Sequence, residues 1–398
     1  MSRCVARLAV IGLMVTPLCL RAQDFKLDGR EVQIHGFASQ GFVHTDDNNW
    51  LTMQTSNIGS GEFTDFGVNA SSQITDKFRI GAQLYDRNLG GLGRWYPELD
   101  WGYAQYKFKS WFGVRGGRVK TVIGLYNDTQ DLDFLHPYAL LPQSIYPIDL
   151  RDTTLAHDGG DVFGDISLGA KCGKLSYTAY GGHHSLSRHS GDAYLFKSDD
   201  ITFGSVAGVQ YGGDLRWQTP LKGLLAGASR ENQSYTSRYT VNLPSGPLPI
   251  QASDNADWTN QFYGEYSWKK LLVDAEFRRE WEDNGVKNIS EFQDNIHAWY
   301  LGGAYRVVKR FQMATYYSHY WIGFPLADVE PAGAGKMNDR AVTGRLDINR
   351  FFSLKIEGHF MAGFGLPGDY PDGFYLVNNP QGLKPNTEAL VVKGGFNF

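Results

Sequence analysis

The sequence predicts an all-β fold: a transmembrane antiparallel barrel of about 16 strands. Three observations carry this. The composition is rich in Gly (47), Phe (24), Tyr (22) and Trp (10). Past the first twenty or so residues there is no long apolar run, which excludes helical membrane spans. The apolar residues instead alternate with polar ones, over segments long enough to cross a bilayer, where about 9–11 tilted residues suffice. The third observation is the strict alternation of short and long connections, as expected of a barrel with tight turns at one end and loops at the other.

Period-two alternation is visible in several segments. In FRIGAQLYDRN, Phe78, Ile80, Ala82 and Leu84 share a face, opposite Arg79, Gln83 and Tyr85. In AGVQYGGDLRW, Val209, Tyr211, Leu215 and Trp217 oppose Gln210, Asp214 and Arg216. LVDAEFRREW sets Val273, Ala275, Phe277 and Trp281 against Asp274, Glu276, Arg278 and Glu280, with Arg279 as the exception on the apolar face. FSLKIEGHFMAGF sets Phe352, Leu354, Ile356, Phe360 and Phe364 against Ser353, Lys355, Glu357 and His359. Strands in globular sandwiches alternate too, but they average only about 5–6 residues.

Short links fall at ITDKF, KFKSWF, KCGKL, TPLKGL, SWKKLL, RVVKRF and INRFF. Long polar stretches lie at 46–61, 90–96, 125–160, 186–202, 239–257, 284–293, 324–337 and 366–386. The strands are therefore expected at 32–45, 62–75, 77–89, 97–109, 111–124, 161–172, 174–185, 203–219, 221–238, 258–269, 271–283, 294–308, 310–323, 338–350, 352–365 and 387–398. Aromatics such as Phe108, Trp111, Trp217, Trp268 and Phe352 cluster beside the short turns, as an interfacial girdle requires.

Residues 1–22 read as a secretory signal peptide. Arg3 and Arg7 precede an apolar stretch from Leu8 to Leu20, and Ala22 is a small cleavage residue. Residues 23–398 are then one barrel domain, exported by the Sec pathway to a bacterial outer membrane. Removing the leader takes away three Arg and two of the three Cys. It leaves 35 basic against 42 acidic residues, which argues against a nucleic-acid partner. The remaining Cys172 has no partner for an internal disulfide.

The longest connection, 125–160, is apolar in its middle (Phe134, Leu135, Tyr138, Leu140, Leu141), and a loop of this length is usually functional. It is expected to fold into the lumen as a constriction. Its acids Asp128, Asp131, Asp133, Asp149 and Asp152 would face wall bases Arg79, Arg118, Lys120, Arg216, Arg278, Arg345 and Lys355. Such opposed charges create a transverse field that filters solutes by charge and size. The competing reading is that the same charges hydrate the lumen or lock the loop by ion pairs.

No catalytic residues, cofactor or metal site are expected. His183, His184 and His189 in GGHHSLSRH have no thiolate or carboxylate pattern beside them, and adjacent strand residues point to opposite faces. GAKCGKLS is one residue short of phosphate-loop spacing, and no GxSxG elbow is present.

Sixteen strands, a long third loop and the terminal GGFNF together resemble the Gram-negative trimeric porin superfamily. IHGFASQGFVHTDDNNW, TDKFRIGAQLYDRNLG and GLYNDTQDLDFL resemble porin-like outer-membrane proteins. The chain departs from general porins in having no PEFGG-like segment in the third loop. The resemblance implies passive diffusion of small polar solutes and ions, commonly through a homotrimer. It also implies lipid and lipopolysaccharide as surroundings, and a terminal Phe396 and Phe398 signal read by the barrel-assembly machinery. The alternatives are a substrate-specific channel for anions or acidic sugars, and a plugged barrel serving as an enzyme or adhesin.

Overall fold

The computed structural model describes residues 23–27, 30–195, 200–286, 290–323, 333–365 and 373–398. The expected leader, 1–22, lies outside the described residues. Among the described residues, seventeen strands form one sheet, and sixteen of them close into a ring. In chain order these are β1 (Gln23–Leu27), β2 (Arg30–Thr45), β3 (Ser60–Gln73), β4 (Phe78–Leu89), β5 (Glu98–Lys109), β6 (Phe112–Lys120), β7 (Ala156–Ser167), β8 (Lys174–Leu186) and β9 (Ile201–Gln218). They continue as β10 (Leu224–Leu243), β11 (Gly246–Trp268), β12 (Leu271–Val286), β13 (Ser290–Val308), β14 (Phe311–Gly323), β15 (Lys336–Asp347), β16 (Phe352–Phe364) and β17 (Asn386–Asn397). Each strand from β2 to β17 pairs antiparallel with its sequence neighbours, and β17 pairs with β2. Two short helices, α1 (Arg151–Thr154) and α2 (Gly191–Leu195), lie in long loops.

Closure explains why the chain end is ordered. Phe396 opposes Ala38 in the β17–β2 register, and Phe398 exchanges backbone hydrogen bonds with Gly36 (2.9 and 3.2 Å). Phe352, Phe396 and Phe398 stack in sequence at 4.7 and 5.8 Å between ring centroids. A closed ring leaves no row of unpaired amides, which hydrocarbon would penalise by several kcal/mol for each group.

Three expectations about the connections are corrected. The stretch 284–293 is mostly strand, with β12 running to Val286 and β13 starting at Ser290. The stretch 239–257 is mostly not loop: β10 and β11 run up to a two-residue turn at Pro244 and Ser245. The third loop is 121–155, because β6 ends at Lys120 and β7 starts at Ala156. The short β1, which was not foreseen, folds back on β2.

The barrel is apolar outside, where Ile80, Leu84, Phe262, Phe277, Leu301, Ile356 and Phe360 are exposed. Its packed core lies inside. Tyr138, Leu140, Leu141 and Ile145 of the third loop join Tyr300, Tyr316 and Phe364 of the wall and Trp50 and Phe374 of other loops in one buried cluster.

Candidate functional site

The third loop crosses the barrel interior and is held at three places. It first turns at Gly124, whose φ is +66°. A Cβ there would stand 2.1 Å from Gln261 Nε2 and 2.7 Å from Glu276 Oε2, so only glycine allows this approach to the β11–β12 wall. Gly124 N–H donates to Ser229 Oγ (2.9 Å), and Arg216 donates to Gly124 O (2.9 Å). Leu125 N–H donates to Glu276 (3.0 Å).

The wall carboxylates Asp274 and Glu276 then collect phenol donors. Tyr126 and Tyr138 donate to Asp274 (3.1 and 2.8 Å), and Tyr146 donates to Glu276 (2.6 Å). Tyr300 on β13 donates to Glu276 (3.0 Å). Gly302 makes room for this network, since a Cβ there would meet Tyr138 Oη at 2.2 Å. Buried carboxylates without a cation are tolerable only when hydrogen-bonded in this way.

The second attachment is on β15–β17. Lys355 Nζ donates to Asp133 O and Tyr138 O (both 2.7 Å) and lies 3.0 Å from the Asp133 carboxylate. Lys393 lies 3.2 Å from the same carboxylate. Glu357 accepts the N–H groups of Ala139 (2.8 Å) and Leu140 (2.9 Å), and Arg345 donates to His136 O (2.8 Å).

The third attachment is on β4–β6 and the final long loop. Asp131 pairs with Lys120 (2.9 Å) and Arg151 (3.4 Å); Arg151 also pairs with Asp100 (2.7 Å). Asp152 pairs with Arg87 (2.7 Å), and Tyr375 Oη donates to Asp149 (2.5 Å).

Burial alone would raise the Asp133 carboxyl, but Lys355 and Lys393 outweigh it and hold the group well below the usual carboxylate range. Lys120 and Arg151 do the same for Asp131 against burial. Burial lowers His136 to about 4, so its ring stays neutral.

The expected site residues therefore meet directly instead of facing one another across a gap. Asp131, Asp133 and Asp152 are spent in ion pairs and Asp149 in a phenol bond, while Lys120, Arg216, Arg345 and Lys355 grip the loop. Of the others, Asp128 gives its backbone carbonyl to Lys120 (3.0 Å), Arg79 donates to Ser71 near the short turns (2.9 Å), and Arg278 pairs with Glu280. Arg118 is not on the lumen phase. Its register partners Gly102 and Asp158 lie on the outer phase, and it pairs with half-exposed Asp158 (3.5 Å). An inward base lower on β6 is Arg115, paired with buried Asp161 (2.7 Å). Gly116 and Gly117 hide this phase in the sequence, and Gly117 has φ +129°.

A cavity of about 370 Å³ lies between the loop and the β9–β13 wall. Ile123, Asn127, Gln130 and Tyr146 line its loop side. Asp192, Glu231, Asp257, Glu280 and Glu282 supply five carboxyl groups, against Arg151 and Arg278. Both arginines are already paired with acids. Burial, with help from Asp152 and Asp149, pushes Asp192 up to about 7. Glu280 is legible as a lumen-phase residue, but the importance of Glu231 and Glu280 depends on which wall the loop leaves bare.

The three histidines do not converge. His184 is buried with Nδ1 2.9 Å from Ala156 O, His183 lies on the opposite face opposing exposed Val209, and His189 stacks on Tyr96.

No protein-family model and no curated protein matches the sequence. Solved structures do match in fold. Outer-membrane expressed OmpT of Vibrio cholerae aligns over 94% of this chain and 100% of its own, at 11% identity and TM-score 0.60. An anion-selective porin from Comamonas acidovorans aligns over 93% and 100%, at 10% identity and TM-score 0.58. Salmonella typhi OmpF in complex with daunomycin aligns over 94% and 100%, at 13% identity and TM-score 0.54. At such identities the likeness is one of fold, and the chain is folded as a sixteen-stranded barrel of the porin type.

Proposed function

We propose that the protein is an outer-membrane porin, through which small polar solutes and ions diffuse passively past the third loop. The observation that carries this reading is the loop pinned inside a closed barrel beside a cavity of about 370 Å³ lined by five carboxyl groups. The apolar outer face and the exposed aromatics Phe108, Trp111, Trp217, Trp268 and Phe352 beside the short turns support a bilayer setting. In this reading the short turns face the periplasm, and Phe396 and Phe398 are read by the assembly machinery.

The surplus of carboxyl groups around the cavity supports a preference for cations. An anion or acidic-sugar channel has less support, because the wall bases that suggest it are spent on holding the loop. Liposome swelling with neutral sugars of increasing size tests the reading. Rates should fall steeply with solute size and stay proportional to concentration. Absence of swelling for every sugar would overturn it, and saturation by one sugar would replace passive diffusion with a specific channel.

A further inference from the structure

We infer that the cavity beside the third loop is a binding subsite for an organic ammonium ion with an apolar body. The inference rests on the porin reading above and names a class of solute for it. The two sides of the cavity differ. On the barrel wall, Glu231, Thr259 and Glu280 are successive partners across β10, β11 and β12, so they form one row along the cavity. Both glutamates are buried and stand two strand spacings apart, about 10 Å between backbones. On the loop side, Ile123, Ile145, Pro147 and Leu150 present carbon. The wall row itself ends in buried Ile296 of β13, the partner of Glu280. Water gains nothing from such an apolar side, whereas the hydrocarbon of a ligand does.

The charge balance identifies the polar end of the ligand. Arg278 is paired with Glu280, and Arg151 is held by Asp100 and Asp131. Glu231 is only 2% exposed and accepts hydrogen bonds from the neutral donors Tyr180 Oη (2.7 Å) and Gln233. No cation pairs with it among the described residues. A buried carboxylate without a cation is costly, so a bound cation beside it is favoured. A bare metal ion does not fit: among the described residues no three carboxyl, imidazole or thiol groups are placed to hold one. An ammonium group donates in three directions and can serve Glu231 and the Thr259 hydroxyl together. Its carbon chain then lies against Ile123 and Ile145. Tyr235, four residues along β10 from Glu231, adds aromatic surface to the same cavity, which suits a cation. The volume of about 370 Å³ falls within the range of small-molecule sites, about 300–1,000 Å³.

Isothermal titration calorimetry on the detergent-folded protein tests this without requiring conduction. The probes are propyl-, butyl-, pentyl- and hexylammonium. Binding should be saturable at one site and tighten about fourfold for each added methylene, as burial of the chain requires. Hexanol lacks the charge, hexanoate reverses it and methylammonium lacks the body; each should bind at least tenfold more weakly than hexylammonium. Glu231→Gln should weaken hexylammonium tenfold or more, and Ile123→Thr should weaken hexylammonium more than propylammonium. Glu62→Gln/Glu388→Gln, which removes exposed carboxylates away from the cavity, should leave binding unchanged. Equal binding of hexanol or hexanoate, no tightening along the series, or unchanged affinity in Glu231→Gln would overturn the inference. The wild-type series decides even where a variant fails to fold. Conduction without saturable binding overturns the subsite and leaves the porin reading standing; saturable binding without conduction does the reverse.

Discussion

Lys355 on β16 holds Asp133 of the third loop across the lumen: its ammonium lies 3.0 Å from the carboxylate and 2.7 Å from the same residue's carbonyl. Lys355 is fully buried, so the contact is worth far more than a surface pair. Removing one member of a buried pair typically costs roughly 3–5 kcal/mol. Lys355→Met should therefore loosen the loop around Asp133, while Glu357 still holds Ala139 and Leu140, without opening the barrel. The folded, heat-modifiable form should persist, while single-channel conductance becomes larger and noisier.

The turn at Gly124 makes the same argument through the backbone. Gly124→Ala adds a Cβ at φ +66° against Gln261 and Glu276. Left-handed strain alone is worth about 1–3 kcal/mol. The variant should unfold at lower temperature, and its channel size should change because the first attachment is displaced. An unchanged unfolding temperature would show that the loop does not need this turn.

These two residues also mark how much the sequence reveals. The polar face bearing Lys355, Glu357 and His359, and the lipid face bearing Val392 and Phe396, follow from alternation alone. The loop's length and its apolar middle reveal that it folds inward. The pairing of Asp133 with Lys355 does not follow, because the two, 222 positions apart, are brought together only by closure of the ring. The hairpin at Pro244 is hidden in the sequence because β10 and β11 rise beyond the apolar band, where polar residues on both faces erase the alternation. The phase of Arg118 is not legible, because the adjacent Gly116 and Gly117 carry no side chain to report it.

A charged residue on the lipid face should prevent assembly at the seam. Val392 opposes Phe42 and Ile356, both exposed on the outer face. Val392→Asp puts a carboxylate there. Basic residues at mid-bilayer cost about 2–4 kcal/mol, and acidic ones somewhat less. The heat-modifiable form should be lost or much reduced, and normal assembly would count against the lipid-facing assignment of this strand.

Selectivity should depend on pH through Asp192. Its carboxyl, raised by burial to about 7, is charged at pH 8 and neutral at pH 6. Cation preference, read as reversal potential in a salt gradient, should weaken as pH falls through 7. Asp192→Asn should shrink that step. Because the folded value is raised, the stability this carboxyl contributes is full below the ordinary carboxylate range of about 4 and is lost as pH rises through 7. Asp131 and Asp133 behave in the opposite sense. Their lowered values keep the ion-pair contribution at all pH above about 4, and it fades only in stronger acid.

Single-channel current through the purified protein in a planar bilayer tests the central claim most directly. A barrel with its third loop pinned beside an acidic cavity should insert in discrete steps of ohmic conductance, with a reversal potential favouring cations. Stable insertion without any current would contradict the channel and leave a barrel closed by its own loop.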